Sequence, residues 1–124
     1  MNQLIIDLEI TTDVTGPLAT IAEFLAADQK PTAVFIDSDE DIESIKEFVA
    51  TLSVIALNFP AFLDGRSYSS ANLLRRVYGY KAELRAVGDI RIDQLEQMVR
   101  CGFNAFQLAD GQNVEQGLER LKGF

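Results

Sequence analysis

The chain has 124 residues, 19 of them acidic and 11 basic, for a formal net charge of -8, with a single cysteine and no histidine. That length suits one α/β domain over residues 1–124, burying roughly two-thirds of its unfolded surface. The acidity argues against a nucleic-acid binder, lone Cys101 excludes an internal disulfide, and the missing histidines and thiols exclude zinc, haem–histidine and iron–sulfur chemistry within one chain.

No run approaches the roughly 20 apolar residues of a membrane span, and Met1-Asn-Gln lacks the basic start of a secretory signal, so a cytoplasmic protein with no membrane contact is expected. Leu4, Ile6, Leu8 and Ile10 alternate with Ile5, Asp7 and Glu9, which predicts a half-exposed strand. Thr15-Gly-Pro17 reads as the opening of a helix carrying Leu18, Ile21, Phe24 and Leu25 on its apolar stripe. Thr32 to Asp37 is the second predicted strand. Ser38, with Asp41 three residues on, caps a helix with Ile42, Ile45, Phe48, Val49 and Leu52 inward and an acidic solvated face.

Val54 to Phe59 is the third strand, ended by Pro60, which cannot donate to a ladder. Ser67 or Ser69 caps a helix with Leu73, Leu74 and Val77 inside, stopped by Gly79. Ala82 to Val87 is the fourth strand, followed by a helix with Ile92, Leu95, Met98 and Val99 that ends at Gly102. Ala105 to Ala109 is the fifth, and Asn113 caps a last helix with Leu118 and Leu121 inside.

Five strand-helix units call for a parallel sheet. Ile55, Leu57, Phe59, Leu84, Ala86, Phe106 and Leu108 form one apolar face, while the alternate positions include Asn58, Glu83, Arg85 and Gln107. A doubly wound, flavodoxin-like sheet buries both faces under helices and its strands are apolar throughout. A polar second face instead favours a partial, open (βα) barrel, completed or covered by a second subunit; the doubly wound fold is the alternative.

In either architecture ligands sit beyond the carboxyl ends of the strands. Charge is also uneven: 12 acidic and 2 basic residues run up to Asp64, and 9 basic and 7 acidic follow from Gly65. A small anion held by Arg66 and Arg85, oriented by Asp64 and Asp89 beside Asn58, Glu83 and Tyr68, is therefore one expectation. The other is a buried Glu83–Arg85 ion pair that fixes sheet register, with Tyr68 packed on its helix. No nucleotide-binding glycine loop is present, no flavin, nicotinamide, haem or iron–sulfur motif is visible, and no metal is assigned although Asp37, Asp64, Asp89 and Asp110 stand at strand ends. Without a histidine base, Ser67, Ser69 and Cys101 make poor nucleophiles.

The run Leu57-Asn-Phe-Pro-Ala-Phe-Leu-Asp-Gly-Arg66, then Tyr68-Ser69, Leu73-Leu-Arg-Arg76, Tyr78-Gly-Tyr80, Glu83-Leu-Arg-Ala-Val-Gly-Asp89, Asp93-Gln-Leu95 and Arg100-Cys-Gly-Phe103 resembles an uncharacterised bacterial family, domain of unknown function family 934. Members are labelled as probable oxidoreductases involved in sulfite reduction. The chain departs from the family pattern at Ala61, usually basic, and Ser67, usually glycine, and its amino-terminal part is short and acidic. The resemblance implies an accessory role in assimilatory sulfite or sulfate reduction with sulfite reductase components as partners. A small-anion or phosphorylated-metabolite binder or enzyme, and a structural homodimer, are the competing expectations.

Overall fold

The structure is a computed structural model that describes residues 3–13, 15–61 and 65–123. The first predicted strand is in fact a hairpin. Asp7 and Leu8 take φ of 49° and 67°, the left-handed pair that a two-residue turn demands, and so divide the segment into β1 (Gln3–Ile6) and β2 (Glu9–Thr12). Aspartate enters that region easily, whereas a leucine there carries strain.

Four further strands follow: β3 (Ala33–Ile36), β4 (Val54–Phe59), β5 (Glu83–Gly88) and β6 (Ala105–Phe106). The sheet order is β2-β1-β6-β5-β4-β3. Strands β3 to β6 are parallel and neighbours in chain order, while β1 runs antiparallel to both β2 and β6. The sheet is therefore mixed α/β rather than purely parallel. A tight turn can only reverse the chain; a parallel neighbour needs a crossover of a dozen or more residues, and each later strand has one.

The helices are α1 (Ile21–Ala26), α2 (Arg66–Arg76), α3 (Leu95–Cys101) and α4 (Val114–Lys122), with 3-10 segments at Ile42–Thr51 and Ile92–Gln94. Their buried residues, among them Phe24, Ile45, Leu74, Met98 and Leu121, share one apolar cluster with Ile5, Val34, Ile36, Ile55, Leu57, Phe59, Leu84, Ala86 and Phe106. Register places all those strand residues on the same side of the sheet, so the helices occupy one face. Each large side chain fully withdrawn there contributes ~1.5–3 kcal/mol.

Local chemistry moved several helix boundaries. Thr20 rather than Thr15 caps α1: Glu23 N donates to Thr20 Oγ1 at 3.1 Å and Thr20 N to Glu23 Oε1 at 2.9 Å, the reciprocal pair of a capping box. Gly16, at φ 79°, keeps the preceding segment out of a helix. Asp41, not Ser38, caps the 3-10 helix by accepting from Glu43 N at 2.9 Å. Helix α2 starts at Arg66, ahead of both predicted serine caps, and Val77 sits at its C-cap, 68% exposed instead of inside. Leu25 and Val99 are exposed as well.

The described residues of the segment between β2 and α1 span the sheet from Asp13, beside Arg85, to Ala19, beside β3. The chain leaves β2 at one edge and reaches β3 at the other, where Ala19 N donates to Ala33 O at 3.1 Å and Phe35 N to Ala19 O at 2.8 Å. This extended strap, rather than a second helical layer, lies on the helix-free face. Leu4, Ala33, Val54, Ala56, Val87 and Ala105 are buried, and none of them belongs to the helix-side cluster.

Candidate functional site

The residues that broke the apolar pattern do share the helix-free face. Pairing of Ala56 with Arg85 and of Val54 with Glu83 sets both charges on the side of the sheet opposite Ile55 and Leu84, and Asn58 projects to that side two residues further along β4. Arg85 is 1% exposed. Its Nε donates to Glu83 Oε2 at 2.7 Å, its Nη2 to Thr15 Oγ1 at 2.7 Å, and its Nη1 faces Asp13 Oδ2 at 3.5 Å. Thr15 N in turn donates to Asp13 Oδ1 at 2.9 Å.

A buried guanidinium is tolerable only when its charge and its donors are met, and here the strap and Glu83 meet them. Burial alone pushes the Asp13 carboxyl up, but the hydrogen bonds from Thr15, backbone and side chain, together with Arg85 outweigh it and hold the group below its ordinary value. Glu83 keeps 18% of its side chain exposed, so the network reaches water on one side.

A second polar cluster stands beyond the carboxyl ends of β3, β4 and β5. Asn58 Nδ2 donates to Asp37 Oδ1 at 3.1 Å, Ser38 N donates to the same oxygen at 2.8 Å, and Arg66 Nη2 donates to Ser38 Oγ at 3.1 Å. Ser67, buried, anchors the start of α2 by donating from Oγ to Asn58 O at 2.7 Å. Gly65 is the N-cap of α2 and offers no side chain, so amides of the first helical turn face this space with the positive end of the helix dipole.

The remaining expected site residues separate. Asp89 is held by Arg91, with Nε and Nη2 each at 3.3 Å from a different carboxylate oxygen, and β4 positions it through Asp89 N donating to Phe59 O at 2.8 Å. Tyr68 packs edge-on against Phe59, with ring centroids 5.0 Å apart; burial, followed by the nearby Cys101 and Asp93, pushes its phenol up. Gln107 lines a cavity of about 440 Å³ with Gln3, Thr12, Asp110 and Gln112. Asp64 lies outside the described residues. Among the described residues, no group of three or more acidic or cysteine side chains could hold a metal ion, and no helix is long and apolar enough to cross a membrane.

Residue-by-residue reading missed Asp13, Thr15 and Arg75. The spacing Asp-x-Thr ahead of a glycine and a proline was a turn signal, yet it looked equally like a helix start. Arg75 donates to three backbone carbonyls, Gly102 O at 2.8 Å, Tyr80 O at 2.9 Å and Ala82 O at 2.8 Å. No sequence pattern announces such an arginine.

A family model described as a bacterial protein of unknown function (DUF934) matches residues 33–124, from the start of β3 onward. Glu83 and Arg85 fall inside that match; Asp13 and Thr15 precede it. No curated protein and no solved structure matches the chain. The match spans well over half of the sequence, and the chain belongs to this bacterial family of unknown function.

Proposed function

We propose that this protein is an accessory component of assimilatory sulfite or sulfate reduction, acting through its surface on partners such as sulfite reductase. The observation that carries the accessory part is the closure of Arg85 by Glu83, Thr15 and Asp13: the most deeply placed charge holds the molecule together and does not face a substrate. The link to sulfite metabolism rests on the family resemblance of the motifs from Leu57 to Phe103. Affinity capture of the tagged full chain from cells grown on sulfate should retain sulfite reductase components, and deletion should slow growth on sulfate but not on cysteine. Equal growth on both sources with no such partner retained would refute this reading.

A second reading is supported by the cluster at the strand ends, where Arg66 leans on Ser38 at the start of α2. It is a binding site for a small anion or a phosphorylated metabolite, with Arg66, Asn58 and the first amides of α2 as donors. Sulfite, sulfate or phosphate should then raise the melting temperature of the wild type more than that of Arg66→Ala; equal responses would remove it. The strand order from β3 to β6, with helices on one face, supports reading the domain as a wall of an opened (βα) barrel. A second copy covering part of that wall, as a homodimer, is the assembly this reading would favour, and light scattering of a dilute monomer would dismiss it.

A further inference from the structure

We propose that the cavity where β6 meets β1 is a binding site for a neutral polyhydroxylated ligand of sugar size, held by the side chains of Gln3, Thr12, Gln107, Asp110 and Gln112. The proposal rests on neither reading above. Strand β1 runs antiparallel to β6, so the start of β1, where Gln3 pairs with Thr12, stands beside the carboxyl end of β6. The chain leaving β6 turns away into α4, and no connection runs from one strand end to the other. A cavity of about 440 Å³ opens there. It lies at the end of the sheet where parallel strands place their ligands, and its size is within the ~300–1,000 Å³ of small-molecule sites.

The loop that walls the cavity is held by its backbone. Gln107 N donates to Ala86 O at 2.9 Å, Ala109 N to Ile90 O at 2.9 Å and Gln112 N to Ala109 O at 3.1 Å, and Gly111 makes the turn at φ 87°. Gln112 Oε1 accepts from Ile92 N at 3.1 Å, which leaves its amino group to donate. The side chains of Gln3, Thr12, Gln107 and Asp110 hydrogen-bond to no other described residue. Donors and acceptors that the fold does not use are thus gathered around one opening.

Their chemistry selects the ligand. Among the described residues that line the cavity, Asp110 alone is charged, so an anion meets repulsion there and no compensating cation. An ammonium accepts nothing and would leave the amide donors unmatched. Adjacent hydroxyls satisfy both kinds of partner, because they donate to a carboxylate and accept from a carboxamide. Leu108 and Val114, half-buried in the same wall, suit the carbon face of such a ring. A free sugar and the ribose of a nucleoside share this chemistry.

The test follows backbone and side-chain amide resonances of the full chain during titration with D-ribose, adenosine, 2-deoxy-D-ribose and sodium sulfate. Ribose and adenosine should give saturable shifts confined to Gln3, Thr12 and residues 107–112, while sulfate leaves these resonances in place. With the deoxy sugar, or in Asp110→Asn, affinity should fall at least about tenfold, because a hydroxyl paired with a polar group of the site is lost. Asp110 is exposed, so its variant keeps the fold; Thr12→Val, of the same shape without the hydroxyl, is a second variant expected to weaken ribose. Arg66→Ala should bind ribose as the wild type does, which separates this site from the strand-end cluster. Tighter binding of adenosine than of ribose assigns a nucleoside and equal binding a free sugar, and both support the site. No saturable shift with either ligand, equal affinity for the deoxy sugar, or a sulfate response as large as that to ribose would overturn the proposal.

Discussion

Arg85 donates from Nη2 to Thr15 Oγ1 at 2.7 Å although the two residues lie 70 positions apart, and the same guanidinium reaches Glu83 at 2.7 Å but Asp13 only at 3.5 Å. Distance and burial rank the partners. Glu83→Ala leaves a buried cation without its near carboxylate and should cost about 3 kcal/mol, whereas Asp13→Ala should cost about 1 kcal/mol. Urea denaturation of the two variants checks the order; an Asp13→Ala penalty equal to or above that of Glu83→Ala would contradict it.

The same network sets an acid dependence. Asp13 is held below its ordinary value of 3.8 by the bonds from Thr15 and Arg85, against the opposing pull of burial. A carboxyl depressed in the folded state contributes stability that is present above pH ~4 and disappears as pH falls through the folded value. The stability difference between wild type and Asp13→Asn should therefore be constant from neutrality down to about pH 4 and shrink below it.

At the alkaline end the sign reverses. Burial pushes the Tyr80 phenol far above its ordinary 10.0, with the Arg75 cation partly offsetting it, while its hydroxyl donates to Glu83 O at 2.7 Å. Its contribution is full below pH ~10 and declines as pH rises beyond, because the unfolded chain ionises there and the folded one does not. Tyr80→Phe should lose stability at neutral pH yet show a flatter decline above pH 10.

Gly88 closes β5 at φ 96°, and a Cβ there would fall 2.5 Å from Phe59 O and closer still to Asn58 Oδ1. Neither the backbone carbonyl nor the Asn58 amide, which is bonded to Asp37, can withdraw freely. Gly88→Ala should destabilise by at least about 2 kcal/mol. It should also loosen the strand-end cluster, visible as shifted amide resonances of Asp37 and Ser38.

Arg75 joins the last turn of α2 to the C-cap of α3 and to the approach of β5 through three carbonyls. Lysine has one ammonium and cannot span the same fork. Arg75→Lys should therefore lose most of what Arg75→Ala loses, about 2–3 kcal/mol, measured by denaturation. A lysine variant indistinguishable from wild type would show that the fork contributes little.

The split between an apolar and a polar sheet face was legible because strand alternation has a period of two, and Leu84 and Ala86 against Glu83 and Arg85 fixed both faces at once. Helix ends with their own chemistry were legible too: Asn113 accepts from Gln116 N at 3.0 Å and Gly102 is left-handed at φ 109°. The hairpin was not, since it turns on Leu8 at φ 67°, a conformation leucine does not advertise. Nor was the strap. Its position is decided by Arg85, whose need for partners on the far face becomes apparent only once the sheet is assembled.

Native-state hydrogen exchange at the amides of Ala19 and Phe35, which tie the strap to β3, tests most directly whether Arg85 fastens that strap. In Asp13→Ala/Thr15→Val both amides should exchange at least about tenfold faster than in wild type, a loss of about 1.4 kcal/mol of local stability, with smaller changes at Ile55 and Leu84 in the core strands. Unchanged protection at Ala19 and Phe35 would contradict the account.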